Sequence, residues 1–226
     1  MRESLAAPTP TERFTSIVGD HLAPALEPYG FVRHRGVLEH DRGDLRWLIE
    51  VELAPWTTPE RIAFTLSWGV AVRGLHEVLD DPMGPPQRVA ACPVKGRLRA
   101  GASDVEAQWF ELGPARGPAA LRRIADARTA AAVVAAATGT ILPTLQHFDT
   151  VPVVQAHLVD GLVRGRGAPA AGELARIRWI AGLSILLGER ANASRWLDYL
   201  EARSSATIAP DVVAERLADL RERCAS

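Results

Sequence analysis

Glu50 and Glu52 stand in the run L-R-W-L-I-E-V-E-L at 45–53. On a strand, residues two apart share a face and lie about 6–7 Å from each other. That separation falls between the carboxylate spacings of retaining and inverting sugar hydrolysis, and such a pair can divide acid and base roles when one member is buried. Arg46 shares the face, and Thr65 and Ser67 belong to the strand expected beside it. Glu50 and Glu52 are therefore the catalytic candidates, with Arg46, Thr65 and Ser67 as binding candidates around them. The same residue types also mark the water-facing back of a half-buried sheet, with both carboxylates solvated, and that is the preferred expectation.

Other constellations are incomplete. His76-Glu77-Val78-Leu79-Asp80 begins like a zinc-protease helix, but the second histidine is replaced by Asp80 and Asp81-Pro82 follows. A polar loop is expected there. His21, His34, His40, His147 and His157 are not spaced with cysteines or carboxylates as metal ligands are, so no metal is expected. The glycine-rich G-L-V-R-G-R-G at 161–167 matches neither dinucleotide nor Walker loops, and Arg164 and Arg166 read as a solvated linker. No G-x-S-x-G elbow occurs, Cys92 has no base near it in sequence, and no cofactor is expected. Trp47, Trp68 and Trp109 look like core. Trp56, between two prolines, is the tryptophan expected to be exposed and available to a partner.

These residues hang on the stretch R-I-A-F-T-L-S-W-G-V-A-V-R at 61–73. Ile62, Phe64, Leu66, Trp68, Val70 and Val72 occupy alternate positions, while Ala63, Thr65, Ser67, Gly69 and Ala71 lie between them. A period of two over this length predicts a central antiparallel strand. Residues 45–53 form its neighbour, with Leu45, Trp47, Ile49, Val51 and Leu53 on one face. Residues 31–40 read as one polar edge strand, and Val94–Arg99 and Val105–Leu112 as two more.

Thr9-Pro10-Thr11-Glu12 is a capping box with proline at the first helical position. The helix it opens carries Phe14, Ile17, Val18, Leu22 and Leu26 on one stripe. Pro24 should kink or stop it, and Gly30 ends it. After a linker at Gly113–Pro118 the chain reads as helical. Segments are expected from Ala119 to Leu142, ended by Pro143, then Val153–Val163, Glu173–Leu187, Asn192–Arg203 and Asp211–Arg223. The fold expected is α+β. A sheet of four to five strands packs on an N-terminal helix within residues 1–113, and a helical region, 119–226, packs against it.

Composition narrows the function. The chain has 226 residues, a formal net charge of -1 and two distant cysteines. Near-neutral charge and the absence of a basic stripe with aromatics disfavour nucleic acid. The most apolar run recognised, Ile177–Leu187, is too short for a bilayer. No leader is recognised, and unpaired cysteines point to a reducing cytoplasm. Arginine and alanine enrichment, with Lys95 the only lysine, suggests a high-GC bacterial gene.

F-x-x-I-x-x-x-L-x-P-x-L at 14–26, G-F-x-R at 30–33, the strand with Trp47 and F-T-L-S-W-G-V at 64–70 resemble the bacterial family known as domain of unknown function 4304. L-P-T-L at 142–145 with Phe148 resembles its later helical part. The resemblance covers about two-thirds of the chain and implies a fold without a reaction, a cofactor or a catalytic residue. Members near toxin and immunity genes make an immunity-like role its functional implication. A non-enzymatic interaction module with a protein partner is the expectation, and a hydrolase using Glu50 and Glu52 is the alternative.

Overall fold

The structure is a computed structural model and describes residues 8–101, 106–114, 118–164, 170–204 and 210–225. Arg166 and the middle of the 113–118 linker lie outside these residues. The chain divides into two compact units. One comprises residues 1–41, 47–69 and 95–146, and the other residues 42–46, 70–94 and 147–226. Residues 119–146 thus belong with the N-terminal helix and most of the sheet rather than with the later helices.

The six-stranded sheet has the order β1 (Val32–His34), β2 (Val37–Arg42), β3 (Leu45–Leu53), β4 (Ile62–Val72), β5 (Val94–Arg97). Strand β6 (Phe110–Leu112) pairs antiparallel with the start of β4. The architecture is α+β, as the periodicities predict. Residues 31–40 differ from expectation: they form a hairpin, with Val32 opposite Glu39 and His34 opposite Val37. Its two turn residues, Arg35 and Gly36, have φ of 48° and 87°. Two left-handed residues in succession are what a tight hairpin turn requires, because they match the twist of the flanking strands.

Helix α1 (Pro10–Ser16) starts at the expected capping box, with Thr9 and Glu12 exchanging bonds. Pro24 does not stop the chain. A π-helical turn, Ile17–Leu22, precedes it, and α2 (Ala23–Leu26) continues beyond it. The N–H of Ala23 reaches back five residues to the Val18 carbonyl, and this wider turn makes room for the proline ring. Gly30, at φ 85°, then ends the segment in left-handed conformation.

Pro143 repeats this device. Helix α4 (Ala119–Ala136) runs through a π-helical turn, Ala137–Ile141, into α5 (Leu142–Gln146), so the proline does not end the helix as expected. Each proline stands two residues beyond its π turn. The two interrupted helices run side by side in the same direction: Arg13 meets Asp126 near their starts, and α2 touches the second π turn near their ends. Ile17, Leu22, Leu26, Val133, Ile141 and Leu145 fill the core between them and the sheet. The 28-residue stretch Ala119–Gln146, not 177–187, is the one described helix long and apolar enough to cross a membrane. The core helix of a soluble protein meets the same criterion.

In the other unit α3 (Leu75–Val78) is one turn where a polar loop was expected, followed by α6 (Val151–Arg164), α7 (Ala170–Leu186), α8 (Arg190–Ser204) and α9 (Pro210–Ala225). Gly182 of α7 lets α3 pack closely: a Cβ there would lie 2.8 Å from the side chains of Leu75 and Leu79. Gln155 of α6 donates to the buried Ser184 hydroxyl of α7 at 2.7 Å, giving that polar group a partner.

Candidate binding surface

The β3–β4 register decides which side chains meet. Ala54 donates to the Ala63 carbonyl at one end of the pair and Arg73 to the Asp44 carbonyl at the other. Both bonds give the same offset, so Glu50 lies across from Ser67 and Glu52 across from Thr65. On the far side of β4, Leu98 donates to the Leu66 carbonyl and Gly96 lies beneath the Trp68 ring. Alternation then turns Lys95, Arg97 and Arg99 toward the face of Thr65 and Ser67. Phe110 pairs with Phe64 on the inner face, where Phe14 of α1 stacks edge-on against Phe64 at 5.1 Å. Trp109, one residue earlier, turns outward.

Arg97 donates to Glu52, spanning β4. The side chains of Thr65 and Ser67 between them are small, which leaves the path open. Arg97 also lies over the Trp109 ring, 6.0 Å from its centre. Trp56 meets Trp109 edge-on with centroids 4.9 Å apart and interplanar angle 62°. A T-shaped contact sets the positive edge of one ring on the negative face of the other, which holds both in place. Trp56 stays 51% exposed, as the sequence suggested, and Leu53, three residues earlier, is 52% exposed.

Several expectations are corrected here. The polar face was expected to be solvated, yet Glu50 is 5% exposed, Ser67 1% and Thr65 0%. The Thr65 and Ser67 hydroxyls have no hydrogen-bond partner among the described residues. Neither side chain is reachable as a binding group. Arg46, at the other end of β3, donates to the Pro86 carbonyl. Trp68 and Trp109 are both half-buried rather than sealed in the core. Trp109 and Arg97 were missed as surface residues because their role depends on the pairing of β5 and β6 with β4, which no local period reveals.

The remaining candidates stay apart. His76 faces Glu77 with Nε2 3.6 Å from the carboxylate, and its Nδ1 is buried without a hydrogen-bond partner. Among the described residues no group of three metal-ligating side chains comes together. Cys92 is buried, with its Sγ 3.7 Å from the Arg88 carbonyl.

Comparison with protein-family models, with characterised proteins and with solved structures finds no match.

Proposed function

We propose that this chain is a non-enzymatic interaction module that engages a protein partner through Trp56 and Trp109. The observation that carries the reading is the exposed Trp56 stacked edge-on against the partly buried Trp109, with Arg97 over the Trp109 ring. Tryptophan and arginine dominate interface energetics, since each covers a large area at low entropic cost when already held in place. The resemblance to the uncharacterised bacterial family supports an immunity-like role, in which the partner is a toxin. Cys92 and Cys224, which form no disulfide, support a reducing cytoplasmic compartment.

The test is direct binding to the products of the neighbouring genes by calorimetry. Trp56→Ala and Trp109→Ala should each weaken a complex by about 2 kcal/mol or more, roughly thirtyfold. Unchanged affinity in both variants would rule this surface out.

The alternative, a hydrolase using Glu50 and Glu52, has one observation on its side: Glu50 is buried beside two hydroxyls. Against it, Glu52 is engaged by Arg97, and Glu50, Thr65 and Ser67 are sealed from a substrate. Turnover of any ester or glycoside that is abolished by Glu50→Gln would restore it.

A further inference from the structure

The interaction reading does not use a cleft of about 320 Å³ lined by α1, the π-helical turn after it and α4. Two carboxylates line it, and both are engaged within the fold. The Asp126 oxygens accept from Nε of Arg13 at 2.8 and 3.0 Å. The Glu12 carboxylate turns back onto the backbone N–H and hydroxyl of Thr9, at 2.7 and 3.1 Å, to close the capping box. Two basic side chains of the cleft are not engaged. Arg123 of α4 and His21 of the π turn are exposed and have no hydrogen-bond or ionic partner among the described residues. A third, Arg13, is held in place with its side chain 9% exposed. One terminal nitrogen donates to the Gly113 carbonyl and the other to Asp126. Each of these nitrogens carries two hydrogens, so one N–H remains on each.

A cation entering this cleft meets only carboxylates that already accept bonds. An anion meets donors from three separate elements, one of them buried and fixed. A carboxylate offers two oxygens in one plane, whereas a phosphate monoester offers three terminal oxygens in a pyramid, one for each donor. Pro8 and Ala127, both exposed, add an apolar rim. We propose that the cleft binds a small phosphate monoester. Its terminal oxygens lie at Arg123, His21 and the remaining N–H groups of Arg13, and its ester group lies on Pro8 and Ala127. Bonds from a guanidinium to phosphate are among the strongest that side chains make. The volume sits at the small end of ligand sites, which suits one small molecule.

Phenyl phosphate titrated into the full chain, followed by calorimetry and backbone NMR shifts, tests the assignment. Binding in the millimolar range or tighter is expected. Benzoate, with a carboxylate in place of the phosphate, should bind at least about tenfold more weakly, and inorganic phosphate, which lacks the ester group, at least about threefold. Arg123→Ala and His21→Ala should each weaken phenyl phosphate binding by about fivefold or more. Arg128→Ala removes the same charge from α4 at an exposed position outside the cleft and should change binding by less than about twofold. All three positions are exposed, so these variants keep the fold. No phenyl phosphate binding at about 10 mM, or benzoate or inorganic phosphate binding as well, would overturn the proposal. So would an Arg128→Ala effect as large as that of Arg123→Ala, which would mean a diffuse charge effect rather than a site.

Discussion

Arg97 on β5 is bonded to Glu52 on β3, two strands away, across the small side chains of β4. Thr65 and Ser67 are fully covered on this face, and their hydroxyls lack partners among the described residues. An unmatched buried hydroxyl costs about 1–3 kcal/mol. Thr65→Val, which keeps the shape and removes the hydroxyl, is therefore expected to be neutral or to stabilise by up to about 1 kcal/mol. The urea midpoint should move up or stay with an unchanged m-value. A loss of more than about 1 kcal/mol would mean that the hydroxyl has a polar partner.

Gly96 and Gly30 test close approach in two different ways. A Cβ at 96 would lie 2.6 Å from the Trp68 ring, and one at 30 would lie 2.4 Å from the His40 ring. Gly96→Ala should cost about 1–3 kcal/mol by overpacking, and Trp68→Leu in the same chain should recover much of it. Gly30 also has φ 85°, so Gly30→Ala should stay destabilised by about 1–2 kcal/mol even with His40→Ala. Equal recovery in both double variants would show that backbone conformation at position 30 is unimportant.

The parallel pair of interrupted helices is fastened at its start by Arg13. Its Nε donates to Asp126 at 2.8 and 3.0 Å, and another nitrogen to the Gly113 carbonyl at 2.7 Å. The arginine side chain is 9% exposed and the aspartate 25%. Removing one partner of a mostly buried pair leaves a stranded charge, so Arg13→Met should cost about 2–3 kcal/mol, less than for a fully sealed pair. Arg13→Met with Asp126→Leu should cost less than Arg13→Met alone. A double variant that is worse than the single one would refute this account of the pair.

His157 gives the fold a pH dependence. Its ring meets Phe148 edge-on at 5.0 Å, and although the residue as a whole is exposed, partial desolvation of the ring pulls its pKa below the ordinary 6.5. Asp160 opposes this, while His147 and Arg176 add to the lowering. With the folded value below the unfolded one, the unfolded chain takes up the proton first. The stability this imidazole contributes is complete above pH 6.5 and is lost as pH falls through the folded value. Compared between about pH 7.5 and about pH 5, wild type should lose stability relative to His157→Gln. Parallel pH curves for the two proteins would contradict the assignment.

The face assignments of the two longest strands were legible in the sequence because alternation is a local property. Six apolar residues at even positions of 62–72 place Thr65 and Ser67 on the other face whatever the strand pairs with. The capping box at Thr9–Glu12, the stop at Gly30 and the exposure of Trp56 were legible for the same reason, since each depends on a few adjacent residues.

Burial of the outer face was not legible. It depends on Arg97 reaching Glu52 across a strand and on Trp109 lying beside Trp56, contacts between residues 45 and 53 positions apart. Propensity marked the interruption at Pro24 without its form, and misjudged Pro143 as the end of a helix. A proline forbids an ordinary helical bond, but a preceding turn bonded five residues back accommodates its ring, and packing between two long helices favours continuation over a break. Local sequence determined which side chains share a face. Only the tertiary structure decided which of those faces meets water, because burial is conferred by whatever segment folds over a residue.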